Sequence, residues 1–592
     1  MRALLLAGAA AIAPLAAAAQ TAIVPDVGGR GLGTLVSQAG NAVTIDGGTL
    51  AGANLFHSFD RFSLGGGDIA RWVRTTGDPA AVRNVISRVT GGEASQIDGT
   101  LESTALPNAG FWFVNPAGIV FGPGAQLNVP AAAHFATAAE LSFADGSRFA
   151  VAAPDGSTLS MAAPESFGFV GGQGAISVEG VGEAFTSTST SLSFTASDVG
   201  VSGSRFAARG LDLVAVGDGT VEARLADPLA AAGGGVVDVR GSTLNVAAND
   251  IPGGPLRIGG GLVTIGASSL VSDTAGAARG GDLVVQADQL RLTADAFLVT
   301  SSRGGGAGGD VVVAAGGIDV DATGGTTTTG FTSVASADGA AGGISLAAGA
   351  LTLRAGAFVG STVTGSGDAG DVRIEAGSIV TDTVLLSSAT LGVGAGGDIR
   401  ITGGLMDLGN TDVLTSGFGA GAAGDVFVDG DVILMSGGTL GSTPGGAGNS
   451  GDLFINAAAR LETFGTNFAA SSFTANSAGA IVIKSPLVIM ERGGIFTSAL
   501  ADGEPGRVLV EAGNLYFDDV TVDGGSGDGQ GAQTGLIQIR SSGDLQVFGG
   551  AIGSQANGKA NGGVIAIEGR DVLLDSAFVQ SNTTFLATGD AG

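Results

Sequence analysis

The feature that most constrains this chain is a repeat of about 27 residues that fills its second half. From residue 280 onward, a Gly-Asp or Gly-x step precedes a short run of alternating apolar residues, as in Asp398-Ile399-Arg400-Ile401. Four copies are spaced 27, 27 and 27 residues apart, at Asp371, Asp398, Asp425 and Asp452. Other copies begin at Asp282, Asp310, Gly343, Ala480, Arg507, Leu536 and Gly563. A serine recurs 17 to 19 residues after most of these positions, so two markers keep the same period.

Each repeat unit holds two or three strand-length apolar runs separated by glycine-rich turns, with no room for a capped helix. A unit of this size is typical of one coil of a parallel β-helix, whose coils stack ~4.8 Å apart. We therefore predict an all-β chain that forms a right-handed parallel β-helix, with repeat coils over residues 271–592. Because the chain stops where a further coil would begin, we expect the coils to continue beyond residue 592.

The composition fits many short strands and limits the partners. Glycine supplies 108 of 592 positions while apolar residues make up 44%, which is typical of strands joined by tight turns. Cysteine is absent, so the hydrogen-bonded ladder between coils has to stabilise the chain without disulfides. The net charge of −28 argues against nucleic acids and anionic lipids as partners.

The first 19 residues are predicted to be a signal peptide. Arg2 supplies the positive charge, residues 3–15 are a short apolar stretch, and Ala17-Ala18-Ala19 fits a cleavage site. No later segment is apolar for the ~18 residues of a membrane helix. We therefore expect an exported chain that needs a separate protein to cross an outer membrane.

Three motifs follow the predicted signal peptide in a fixed order. They are GANLFHSF at residues 52–59, NVISRVTGG at 84–92 and FVNPAGIVFG at 113–122. Together they resemble the two-partner secretion, or haemagglutination-activity, domain of filamentous-haemagglutinin-like exoproteins. The resemblance is dense over residues 28–141 and thinner to about 270, which predicts a secretion domain over residues 20–270. One position departs from the family pattern, since Ala117 stands where the family usually has asparagine, and any role of a polar third residue is in doubt.

The resemblance implies a partner and a route of export. An outer-membrane translocator would bind the unfolded chain through its periplasmic domains, and the coils would then fold outside the cell. The residues that the resemblance assigns to translocator recognition are Asn54, Leu55, Phe56, Asn115, Pro116 and Gly118. A purely structural turn is the alternative for the last three, because Asn, Pro and Gly are the residues that tight turns favour.

Few side chains offer other chemistry. His57 and His134 are the only histidines and have no ligand partners at zinc spacing, so we predict no metal site and a hydrogen-bonded core position for His57. The stacked aspartates would repel by about 0.9 kcal/mol per pair in water. They either cap turn amides in solvent or share a bridging calcium ion, and no other cofactor is expected. The recurring serines are expected to form a hydroxyl ladder, and the 28 phenylalanines to form the core.

The predicted function is that of a non-enzymatic secreted or surface-displayed exoprotein, an adhesin-like rod with a glycan or protein receptor. With two lysines and no Ser-His-Asp, phosphate-loop or metal pattern, no catalytic group stands out. Two alternatives stay open. One is an extracellular polysaccharide-active enzyme on the same scaffold, and the other is a carrier of a toxin module beyond residue 592.

Overall fold

A computed structural model describes most of the chain. The described residues are 20–182, 185–248, 251–472, 476–499, 503–525, 535–556 and 561–583. The predicted signal peptide, residues 1–19, lies outside them. Within the described residues the chain is built from β-strands and four short 3-10 turns, without an α-helix. The 3-10 turns are Gly28–Arg30, Pro79–Ala81, Pro154–Gly156 and Pro228–Ala231.

The strands of the N-terminal region are short. They are β1 (Ala22–Pro25), β2 (Thr34–Ala39), β3 (Ala42–Gly47), β4 (Thr49–Ala51), β5 (Asn54–Ser63), β6 (Ile69–Trp72), β7 (Asn84–Val89), β8 (Ser95–Ile97), β9 (Thr100–Glu102), β10 (Gly110–Val114), β11 (Ile119–Phe121), β12 (Gln126–Asn128), β13 (Ala133–Ala136), β14 (Glu140–Phe143), β15 (Arg148–Ala150), β16 (Pro164–Val170), β17 (Ile176–Glu179), β18 (Phe185–Ala196), β19 (Val199–Ser202), β20 (Arg205–Ala215), β21 (Thr220–Arg224), β22 (Val236–Arg240), β23 (Thr243–Ala248), β24 (Leu256–Gly266) and β25 (Ser269–Thr274).

The repeat coils contain both long and short strands. They are β26 (Leu283–Thr293), β27 (Phe297–Ser302), β28 (Val311–Asp321), β29 (Gly330–Ala335), β30 (Ile344–Arg354), β31 (Phe358–Val363), β32 (Val372–Thr390), β33 (Ile399–Gly417), β34 (Val426–Ser436), β35 (Thr439–Ser442), β36 (Leu453–Ala469), β37 (Ile481–Phe496), β38 (Val508–Asp523), β39 (Ile537–Ser541), β40 (Asp544–Phe548), β41 (Ala551–Ala556), β42 (Ile565–Glu568), β43 (Asp571–Asp575) and β44 (Phe578–Thr583).

Within the stacked coils, strands pair in parallel with the equivalent strands of the next coil. Val372 of β32 lies opposite Ile399 of β33, which lies opposite Val426 of β34 and then Leu453 of β36. The predicted fold class, an all-β right-handed parallel β-helix, is confirmed. The repeat copies stack as predicted apart from the last one. Ile565 pairs with Ile537, so that copy begins at Val564 and the prediction of Gly563 was one residue early.

The start of the helix is closed by antiparallel strands. β1 and β4 pair with opposite ends of β5, and β2 pairs with β3 at the edge of a smaller five-stranded sheet. The first coil has no preceding coil to supply hydrogen bonds, and an open edge of this kind exposes unpaired backbone groups. These strands therefore cap the end at which stacking begins.

A second layer covers one face of the first coils. β14, β15, β16 and β21 form a four-stranded antiparallel sheet outside the helix. Its phenylalanines form a separate core with the outward-facing Phe56, Ile86 and Trp112. β5, β7 and β10 are thus buried on both faces, which explains why their sequences are almost continuously apolar.

The interior differs along the chain. In the first coils it is aromatic, with Phe62 stacked on Trp72 at 5.7 Å and Phe194 on Phe135 at 5.5 Å. In the repeat coils it consists mainly of Val, Ile and Leu. The expectation that the phenylalanines form the core is therefore wrong for several of them in the repeats. These face outward: Phe297, Phe358, Phe418, Phe427, Phe454 and Phe464.

Candidate functional site

The asparagine of the first motif starts a chain of buried hydrogen bonds. Asn54 donates to the carbonyls of Ser160 (2.9 Å) and Ala162 (2.7 Å), in the loop that leads into β16. Its own carbonyl accepts from Asn84 (2.8 Å), and Asn84 accepts from the Trp112 indole (3.0 Å). This series of hydrogen bonds therefore links three successive coils to the covering sheet.

Arg88, in the second motif, also links the first coils to the covering sheet. It is buried, with only 2% of its surface exposed. Its guanidinium donates to Ser58 Oγ (2.7 Å), the Ala150 carbonyl (2.6 Å) and the Arg30 carbonyl (3.3 Å), and it lies 4.5 Å from the Phe149 ring centroid. Burial lowers its pKa to about 10, an effect that the carboxylate of Asp26 opposes. The side chain is thus still charged at neutral pH.

The sequence did not single out Arg88, Asn84 or Trp112 as important residues. The available signal was a charged or amide side chain inside a strand that is otherwise apolar on both faces. Such a group has to be hydrogen-bonded when it is buried, since a buried polar group without partners is costly.

The third motif forms a closed turn between β10 and β11. Asn115 is fully buried, and its amide donates to the Glu93 carbonyl and to Ser95 Oγ, both at 2.9 Å. Its Oδ1 accepts the Ala117 amide at 3.0 Å, which makes an Asx turn. Gly118 has φ +122°, which favours glycine. The turn thus forms with alanine at its third position.

The surface beside this turn is a shallow groove of about 250 Å³. It is lined by Val89, Thr90, Gly92, Asn115, Pro116, Ala117, Val151 and Ala152. Pro116 and Ala117 are half-buried, whereas Asn115 and Gly118 are buried. In the folded chain, only the rim of the predicted recognition turn faces solvent.

The structure brings the predicted recognition residues into one part of the fold and buries most of them. Leu55 and Phe56 have no exposed surface, and Asn54 retains 1%. Leu55 lies in the core inside the coils, while Phe56 lies in the core beneath the covering sheet. A partner can therefore reach these side chains only while the chain is unfolded.

The two histidines also lie in the first coils. His57 is buried, and neither ring nitrogen has a hydrogen-bond partner among the described residues, so the expectation of a hydrogen-bonded histidine was wrong. His134 lies near Ser193 Oγ (2.8 Å) and stacks on Trp112 at 4.0 Å. Burial lowers the pKa of each histidine to about 4.

The aspartate column of the repeats forms a ladder of side chain to backbone hydrogen bonds. Oδ1 of Asp371, Asp398 and Asp425 each accepts the amide of the aspartate one coil further on, at 2.9, 2.8 and 2.7 Å, and Asp452 accepts the Ala480 amide at 2.7 Å. Burial raises the pKa of Asp425, and the charges of Asp398 and Asp452 raise it further. Each carboxylate thus caps the turn of the following coil.

The hydroxyl column differs from the predicted serine ladder. Ser388 pairs in register with Thr415, and Thr415 with Ser442, so Ser416 lies outside the column. The hydroxyls of Ser388, Thr415 and Ser442 bond to turn glycines. Direct bonds between hydroxyls occur elsewhere, from Thr300 to Ser333 at 2.9 Å and between Ser471 and Ser498 at 3.4 Å. Ser442 Oγ accepts the Gly451 amide (2.7 Å) and donates to the Gly424 carbonyl (2.9 Å). The column therefore fixes each Gly-Asp turn from inside the coil.

The described part of the chain offers neither a metal-binding cluster nor a membrane-spanning helix. No group of three or more His, Asp or Glu side chains there is placed to hold a metal ion. Among the same residues, no helix is long and apolar enough to cross a membrane.

Comparison with known proteins identifies the N-terminal part. Residues 21–227 match the family model described as "TPS secretion domain". Among solved structures, the chain matches the HMW1 secretion domain from Haemophilus influenzae with 12% identity, over 96% of this chain and 99% of that one. The TM-score of that match is 0.25. No curated protein matches the chain.

The solenoid and its covered first coils place this chain in the class of β-helical proteins. Residues 21–227 of this chain match a TPS secretion domain, and this match supports a two-partner secretion exoprotein. A TPS domain implies a translocator partner and a secreted or surface location.

Proposed function

We propose that a signal peptide directs this chain to the periplasm and that an outer-membrane translocator then delivers it to the cell surface, where the rod acts as a non-enzymatic adhesin. The observation that supports this most is the TPS domain over residues 21–227, followed by regular coils. We place the secretion domain at residues 20–270 and the passenger coils at 271–592. Each coil buries apolar surface on its predecessor, so folding outside the cell favours outward movement of the chain.

We propose further that the translocator reads Asn54, Leu55, Phe56, Asn115, Pro116 and Gly118 in the unfolded chain. The burial of most of these residues supports this order of events, because recognition then ends when the coils fold. Peptides covering residues 50–62 and 110–122 test it against the translocator's periplasmic domains. Replacement of Asn54 or Asn115 by alanine in the peptide should weaken binding. Equal binding of the alanine peptides would leave these residues with a structural role only.

Two matched deletions test the export role of the N-terminal region. Deletion of residues 20–141 should abolish surface display, because it removes all three motifs. Deletion of residues 372–452 removes three whole coils of 27 residues and joins Asp371 to Leu453 in register, so display should persist. Both deletions keep the predicted signal peptide. Surface protease accessibility measures the outcome, and normal display of the first deletion would contradict the assignment.

A further inference from the structure

One coil of the repeat region departs from the regular spacing. The copies at Asp310 and Gly343 lie 33 residues apart, whereas the coils on either side are 28 residues long. The five extra residues all lie between β28 and β29, where residues 322–329 replace the three-residue connections 294–296 and 355–357. In solenoids, such insertions form loops on one face, which is often the binding face.

The inserted loop is fixed in place by the preceding coil. Asp295 Oδ1 accepts the amides of Thr326 (2.7 Å) and Thr327 (2.6 Å), and the Thr327 hydroxyl (2.8 Å). The Asp295 amide in turn donates to the Thr329 hydroxyl (2.9 Å). These bonds lower the pKa of Asp295, so the carboxylate remains ionised in this role. The loop is therefore a fixed wall.

This wall borders a groove of about 460 Å³, a volume within the range of small-molecule sites. The groove crosses four coil steps, about 19 Å along the rod. Its lining comprises Phe297, Thr328, Gly356, Phe358, Thr383, Val384, Leu385, Asn410 and Asp412. The insertion and the groove thus occur together at one place in a regular rod.

The floor of the groove is apolar and shaped for a flat ring. Phe297 and Phe358 face outward from coils two steps apart, about 10 Å, with Gly330 in register between them. A Cβ on Gly330 would lie 2.0 Å from the Phe358 carbonyl oxygen, so no side chain fills the gap. Phe358 lies over Gly360, since its Cζ is 2.5 Å from where a Cβ on that glycine would be. Leu385 extends the floor and is 37% exposed.

The rim of the groove is polar and carries no positive charge. Thr328, Thr383 and Asn410 are neutral, and Asp412 is held by the Thr439 amide at 2.9 Å. Thr383 has φ +57°, a positive angle that recurs at the equivalent corner of the neighbouring coils, at Ala355 and Asn410. With Asp412 at the rim and a net charge of −28, an anionic ligand would be repelled.

We propose that this groove binds a neutral oligosaccharide. A sugar ring presents an apolar face that can stack on Phe297 and Phe358, and hydroxyls that can bond to the threonines, Asn410 and Asp412. The length of the groove fits a short chain of sugars. This inference rests on the proposed function, because it supplies the ligand class of the adhesive rod.

The test uses the purified full chain and an array of neutral hexasaccharides, including those of glucose, mannose and xylose, with hexagalacturonate as the anionic probe. At least one neutral hexasaccharide should bind, and calorimetry then gives its affinity. Phe297→Ala and Phe358→Ala should each weaken binding at least about tenfold, whereas Phe358→Tyr should retain it. Phe427→Ala, which removes another outward ring elsewhere on the rod, should have no effect.

Leu385→Glu provides a second variant at an exposed position, and it should also weaken binding. Absence of binding to every neutral hexasaccharide, preference for hexagalacturonate or for an extended peptide, or full binding by Phe358→Ala would each overturn the inference. These outcomes concern the purified chain, so they are distinct from a failure of export, which would count against the proposed function.

Discussion

The N-terminal coils and the repeat coils use the same parallel stacking, but different side chains hold them together. In the N-terminal region, buried polar groups such as Arg88, Asn54 and Asn115 bond across several layers, around an aromatic core. In the repeats, aspartates such as Asp398 and hydroxyls such as that of Ser442 bond to the backbone of the turns, around an aliphatic core.

This difference arises because a repeat coil stacks on a preceding coil, whereas the first coils have none. A repeat coil stacks on a finished template, so short local bonds are sufficient to fix its turns. The first coils have no template and need long-range contacts with a cap and a covering sheet. We therefore expect the N-terminal region to be more sensitive to single substitutions than the repeats. Trp72 and Trp112 report on the first region, and Tyr516, the only tyrosine, reports on the second.

The largest effect is expected at Arg88. Arg88→Met removes a buried cation together with the hydrogen bonds that it donates to Ser58 Oγ and the Ala150 carbonyl. The loss in the free energy of unfolding should be about 3–5 kcal/mol, measured by urea unfolding followed by tryptophan emission. Arg373→Met, at an exposed position in the repeats, should change it by less than about 0.5 kcal/mol. Similar effects of the two substitutions would remove the contrast between the regions.

Mild acid should reduce the stability of the N-terminal region, which contains both histidines, more than that of the repeats. The pKa of His57 falls from 6.5 to about 4 on folding, so its contribution to stability is present above pH 6.5 and is lost as the pH falls towards 4. Between pH 7.5 and 5 this loss should be about 2 kcal/mol, detected by tryptophan emission. His57→Leu removes the titrating ring, so the free energy of unfolding of this variant should depend less on pH. A tryptophan transition that is insensitive to pH would contradict the burial of a neutral histidine.

Asn115 tests the recognition turn as a structural element. Asn115→Ala removes two bonds from the side-chain amide and the Asx turn, which should cost about 1–3 kcal/mol. Asn108→Ala, at an exposed asparagine whose amide bonds to the Ala80 carbonyl, is the matched control and should have little effect. An unchanged tryptophan transition in Asn115→Ala would show that the turn does not depend on this side chain.

The smallest effect is expected in the aspartate ladder. Asp425→Ala removes the side chain that accepts the Asp452 amide. The free energy of unfolding should fall by about 1 kcal/mol, measured by urea unfolding followed by tyrosine emission. Asp425→Asn keeps an acceptor oxygen and removes the charge, so it should be at least as stable as the natural chain at pH 7. Because the folded pKa of Asp425 is raised, its contribution is favourable at low pH and is lost as the pH rises through that value. A marked loss of stability in Asp425→Asn would favour a bridging cation.

The sequence predicted the coils well because one period repeats over many copies, so each strand is identified several times. It placed the stacking of Asp371, Asp398, Asp425 and Asp452 in the correct register. It missed the covering sheet, because β14, β15, β16 and β21 are irregularly spaced and pair over long range. For the same reason the bonds of Arg88 and Asn54 were not foreseen, nor were the outward rings of Phe297 and Phe358, whose orientation depends on the turn that precedes them.

The measurement that tests the account most directly is surface delivery of the full chain with and without its translocator. The chain is expressed in one bacterial strain, either with or without the translocator. Protease added from outside then reports which chains have reached the surface. We expect cleavage only when the translocator is present, with the chain retained inside the cell in its absence. Equal surface delivery without the translocator would contradict the assignment of residues 21–227 as the domain that directs export.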